Sequence, residues 1–245
     1  MGEDQRKADW LQVTEETNAL DCLKRVCLFA LQAEEDRLAW KWAVIALHSA
    51  LYSFAICACE GTANLAVVRE TKRGRRLIAI ENALKLCQDD SYMRKWFGGH
   101  AIQLTSEQKQ AFRFLKKIRD QFEHYQPMLW AIAYQELPYH AMQILDVIHS
   151  LSETRTWCHP PAGFFEEVRS TITKCRTILQ ESRAHREFNE MMRKQETLNV
   201  SDQDLRKRPD SSGPEHGAIG ISCEAVFSAP EPHADPLPGN ADGKT

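Results

Sequence analysis

Between Leu38 and Cys59 only Lys41, His48, Ser49 and Ser53 interrupt a run of apolar and aromatic residues. A stretch this long can hide its surface either in a bilayer or at the centre of a protein core. Lys41, His48 and the two serines would be costly in mid-membrane. The neighbouring helical segments are amphipathic in the manner of soluble proteins, so the run is expected to be a buried central helix over residues 36–60.

The segments around it carry helical periodicity. Leu20, Leu23, Cys27, Ala30 and Leu31 recur at three- and four-residue steps and predict a helix over 15–34. Residues 69–76 form a basic turn, and Leu77, Ile80, Leu84 and Cys87 mark a short helix over 77–88. A long loop is expected over 88–105, with a turn at Gly98-Gly99. Thr105-x-x-Gln108 has the form of a capping box and opens a helix over 106–125. Its apolar stripe is Phe112, Leu115, Ile118 and Phe122, and Pro127 limits its run. Pro138 suits the first turn of a helix over 138–152. After Pro160-Pro161 a last helix is expected over 163–195, with Phe164, Val168, Ile172, Cys175 and Leu179 inward.

No strand pattern stands out, so the expected fold is all-α: an up-and-down bundle of five to six helices without a sheet. Residues 1–14 read as an N-terminal polar segment, 15–152 as the bundle, and 153–199 as a C-terminal helix packing on it or extending from it. Six of the ten prolines lie between Pro209 and Pro238, so residues 200–245 read as a disordered tail.

A formal charge of −3 over 245 residues argues against a protein that coats nucleic acid and leaves such contacts to local patches. Eight cysteines occur without a Cys-x-x-Cys pair, and Cys57-x-Cys59 has no histidine at ligand spacing. No metal site and no cofactor are expected, and the cysteines read as free thiols in a reducing cytoplasm. The polar N-terminus has no apolar core of a secretory signal. No membrane association is expected.

The chemistry-bearing stretch is Lys116–Pro127, which sets Arg119 and His124 five positions apart before a proline. An Arg, then a polar residue (Asp120), then a His after four intervening positions resembles the signature of the HEPN superfamily. The apolar run from Trp40 to Leu51 resembles the long central helix of HEPN-like bacterial proteins, and the order of segments over 15–152 fits the same family. The resemblance implies a metal-independent endoribonuclease in which Arg119 steadies the scissile phosphate, His124 handles a proton and Asp120 holds the Arg or its neighbour in place. It also implies a homodimer that supplies two histidines, a role as toxin or phage-defence effector, and a neutralising protein partner. Such cleavage needs a base for the 2′-hydroxyl, a cation for the phosphorane and an acid for the leaving oxygen.

Geometry sets a condition. Positions five apart on an ideal helix lie roughly 140° apart, so the pair shares a face only where the helix is distorted or ends. The alternative is a non-catalytic HEPN-like binding or scaffold module in which the pair is relict. Lys116, Lys117, Arg113, Arg73 and Arg75 are candidates to track an RNA backbone, against the plain reading of solvated charges. His48, mid-helix among apolar residues, reads as a core histidine satisfied by one partner.

Overall fold

The computed structural model describes residues 11–60, 67–72, 74–124, 130–154, 156–158 and 160–206. Among them are eight α-helices, one two-stranded hairpin and a short 3-10 turn. The all-α expectation therefore holds in its coarse form. The helices are α1 (Glu15–Gln32), α2 (Ala39–Cys59), α3 (Ile80–Cys87), α4 (Asp90–Phe97), α5 (Ser106–Glu123), α6 (Leu137–Ser152), α7 (Phe164–Glu181) and α8 (Arg183–Arg206). The chain divides into a unit Met1–Val200 and a unit Ser201–Thr245, and most of the second lies outside the described residues.

α2 is the element the others surround, with α1, α3, α5 and α6 packed against it. Leu51, Phe54 and Ala55 on it are fully buried. By length and composition it is apolar enough to cross a membrane, but 72% of its most apolar window is covered by the rest of the chain. Burial all round explains its composition without lipid.

Side chains from distant segments take up the carbonyls at the C-terminal end of α2, which the helix itself leaves unpaired. Thr156 Oγ1 donates to the Ala58 carbonyl (2.6 Å), and Tyr92 OH to that of Cys59 (2.7 Å). At the other side of the helix, Asn18 Nδ2 donates to Ser53 Oγ (2.9 Å) and ties α1 to α2.

Four expectations are corrected. Residues 69–76 are not a bare turn: β1 (Val68–Thr71) pairs antiparallel with β2 (Gly74–Leu77), Arg69 opposite Arg76 and Glu70 opposite Arg75. Its strands are mostly exposed, so no apolar alternation announces them. The expected loop over 88–105 contains α4, which Asp89 caps by accepting from the Tyr92 N–H (3.1 Å). Gly98 ends it in the left-handed region (φ 61°), and a Cβ on Gly99 would stand 2.7 Å from the Thr154 carbonyl oxygen. That close approach demands glycine.

The expected single helix over 163–195 is two, broken at Ser182, whose backbone turns extended (ψ 149°). The Ser182 hydroxyl then accepts from the His185 N–H (3.2 Å) and opens α8. Finally, the cysteines are not all free. Cys27 on α1 and Cys175 on α7 form a disulfide, with Cα atoms 4.9 Å apart and a sequence separation of 148. Cys22, Cys57, Cys59, Cys87 and Cys158 are free thiols. The tail expected from residue 200 is overlapped by α8, which continues to Arg206, and from residue 207 onward it lies outside the described residues.

Candidate functional site

α5 carries the Arg–His stretch, and local chemistry fixes where it begins. Thr105 Oγ1 accepts from the Gln108 N–H (3.2 Å) while Gln108 Oε1 accepts from the Thr105 N–H (3.0 Å), the reciprocal capping box anticipated from sequence. Ala111, Leu115 and Ile118 form its buried stripe, with Phe112 and Phe122 half-buried beside them. The helix ends at His124, whose N–H still donates to the Asp120 carbonyl (2.9 Å) but whose backbone has left the helix (φ −111°, ψ 55°). Pro127, expected to set that end, lies outside the described residues.

Ending the helix at His124 does not bring it to Arg119. Arg119 points toward α2, with its side chain only 18% exposed. Its Nη1 lies 2.7 Å from Glu123 Oε2 and 3.2 Å from Asp120 Oδ1. Its Nη2 donates to His48 Nε2 on α2 (3.0 Å), while Nε is buried without a hydrogen-bond partner. Since a guanidinium can only donate, Nε2 of His48 must carry a lone pair, and the ring proton sits on Nδ1.

Burial, and then the neighbouring Arg119 charge, push His48 down to about 4. The imidazole is therefore neutral at pH 7. The expectation of a core histidine with one partner is correct, but the partner is the arginine of the motif.

Arg119 and His124 line different grooves. Arg119 and His48 face a groove of about 620 Å³ together with Ser49, Tyr52, Ile78 and Glu123. His124 is exposed and lines a second, of about 830 Å³, with Phe112, Arg113, Lys117, Gln121 and Trp130. Glu81, Lys116 and Asp120 belong to the walls of both. Lys116 lies 3.4 Å from Glu81 Oε1 and 3.5 Å from Asp120 Oδ2, so its charge is largely met within the chain. Asp120 thus touches both Arg119 and Lys116.

The remaining candidate cations fall apart from one another. Arg113 and Lys117 are exposed on α5 along the His124 groove. Arg75 is on β2, paired with Glu70 (3.2 Å), and Arg73 lies outside the described residues. Two aromatic residues add to the His124 groove what the cations lack, a flat apolar surface: Phe112 and Trp130, the latter packed on Phe122 with ring centroids 5.2 Å apart.

A second cluster was missed by sequence reasoning. Glu16 in the first turn of α1, Cys57 in the last turn of α2 and Glu60 at its C-cap bring their ligand atoms within 4.8 Å of one another. Burial, then the Glu16 and Glu15 charges, raise Glu60 to about 7. Cys57 and Glu60 at i and i+3 share a helix face, but Glu16 joins them only through the packing of α1 on α2.

Comparison with protein-family models, curated proteins and solved structures finds no match to this chain.

Proposed function

We propose that the chain is a HEPN-like up-and-down helical bundle acting as a non-catalytic RNA-binding module in the cytoplasm. The observation that carries this reading is the occupation of Arg119. Both terminal nitrogens of its guanidinium are engaged within the chain, by Glu123, Asp120 and His48, and His124 lines another groove. An arginine so held serves to fix α5 against α2 rather than to receive a phosphate.

Support for RNA comes from the His124 groove. Arg113 and Lys117 supply charge for a phosphate backbone, and Trp130 and Phe112 supply faces for base stacking. The five free thiols support the cytoplasmic setting, whereas the Cys27–Cys175 disulfide is of a kind rare there.

The test is fluorescence anisotropy with labelled single-stranded RNA, followed by a denaturing gel on the same samples. Binding that weakens as salt rises and leaves the RNA intact is the expected result. No binding even at low salt would end this reading.

A second reading is favoured by one observation, the exposure of His124 in a groove with cations. It is the metal-independent endoribonuclease, a homodimer that brings two copies of His124 to one RNA strand, with toxin or defence use and a neutralising partner. In it Arg119 exchanges Glu123 for the scissile phosphate, and Asp120 orients it. Cleavage that survives chelation, leaves a 2′,3′-cyclic phosphate and disappears in His124→Ala would establish this reading in place of the first.

A further inference from the structure

We infer that Glu16, Cys57 and Glu60 form a binding site for a zinc-class divalent cation at the junction of α1 and the C-terminal end of α2. The inference is independent of RNA binding.

Three observations carry it. The donor atoms of the three side chains converge within 4.8 Å of one another. Zinc–oxygen and zinc–sulfur bonds of about 2.0 and 2.3 Å in tetrahedral array would hold donors about 3.5 Å apart, a small inward adjustment. Secondly, Glu16 is 9% exposed and aimed into the cluster, with neither hydrogen bond nor ion pair among the described residues. Two carboxylates and a thiol drawn this close together disfavour one another's charged forms, and a cation among them removes that repulsion. Thirdly, Cys57 and Glu60 stand at the carbonyl end of α2, where the helix dipole favours positive charge.

The donor set selects the ion. One thiolate with two carboxylates suits zinc better than magnesium or calcium, which take oxygen alone. Three protein ligands leave a fourth position for water. On binding, the Cys57 Sγ–H bond breaks, the proton passes to solvent and the sulfur lone pair forms the metal bond. Such an ion would tie α1 to α2 one turn beyond the Asn18–Ser53 hydrogen bond.

The experiment titrates the chelator-stripped full chain, its free thiols kept reduced by a phosphine, with Zn²⁺ by calorimetry and with Co²⁺ by absorption. One Zn²⁺ per chain and a thiolate-to-cobalt charge-transfer band in the near ultraviolet are expected. Cys57→Ser removes the band, and Glu16→Gln weakens Zn²⁺ binding by at least about tenfold at unchanged helical circular dichroism. Glu15→Gln, a neighbouring carboxylate outside the donor set, keeps the band and the stoichiometry. Should a variant fail to fold, zinc-edge X-ray absorption on the wild-type protein decides: one sulfur with oxygen donors supports the site. Absence of binding, a band that persists in Cys57→Ser, or a zinc shell with two or more sulfurs overturns it.

Discussion

Arg119 and His124 stand five residues apart on one helix and belong to different environments. Arg119 is held inside, against a neutral imidazole and two carboxylates, and its neighbours come from both α2 and α5. His124 stands outside at the end of α5, in an open groove with cations and aromatic rings. The difference teaches that spacing along a helix defines a pair only when both members meet the same surface. Here the inner residue found a structural partner on α2, and the outer one kept its freedom. The inner region should therefore answer to perturbation in stability, and the outer region in ligand binding.

The largest expected effect is on acid stability. His48 falls from its ordinary value of 6.5 to about 4 in the folded chain, with burial as the main cause and Arg119 next; Glu123, Asp120 and Glu81 act in the opposite sense. A base with a depressed pKa takes its proton more readily when unfolded. Its contribution is intact above pH 6.5 and is lost as the pH falls toward 4, by about 3 kcal/mol in all. Glu60, raised to about 7, runs the other way over part of this window, favouring the folded state as it takes up its proton. Comparing wild type with His48→Gln isolates the histidine. Urea unfolding at pH 7 and pH 4 should show a smaller acid loss in the variant, and equal losses would contradict the buried, neutral assignment.

Next in size is the ion cluster. Arg119→Ala should cost about 2 kcal/mol of stability, the range for charge-assisted hydrogen bonds in a partly shielded site. Combined with His48→Ala, the loss should be less than additive, because the two residues share one bond. Strict additivity in the double-mutant cycle would mean that the contact carries no energy.

A smaller effect is expected in the outer groove. Reversing Arg113 and Lys117 together to Glu should weaken RNA binding by about tenfold, or roughly 1.4 kcal/mol, and flatten its salt dependence. Unchanged anisotropy curves would move the RNA site elsewhere. Smallest of all, His124→Ala should shift unfolding by no more than about 0.5 kcal/mol, as for an exposed position. A loss as large as that of Arg119→Ala would erase the contrast between the two sides.

Local rules made much of the helical content legible from the sequence. The Thr105–Gln108 box and the stripe of Phe112, Leu115, Ile118 and Phe122 concern residues within a turn or two of each other; the box forms as read, and Leu115 and Ile118 are buried with Phe112 and Phe122 half-buried beside them. The apolar run of α2 likewise announced a helix, because nothing else could cover so continuous a surface. Short polar elements escaped. β1 and β2 expose most of their residues and show no apolar period, while α4 repeats Met93, Trp96 and Phe97 at helical spacing over only two turns, beside a Gly-Gly turn that reads as loop.

What only the tertiary structure decided is which distant residues meet. His48 and Arg119 are 71 residues apart, and Cys27 and Cys175 are 148 apart. Glu16 reaches Cys57 only because α1 lies on α2. Side-chain periodicity tells which face of a helix is buried, but the face it is buried against depends on how whole helices pack. That packing is decided by the summed burial of many side chains on several elements at once, a quantity no local spacing contains.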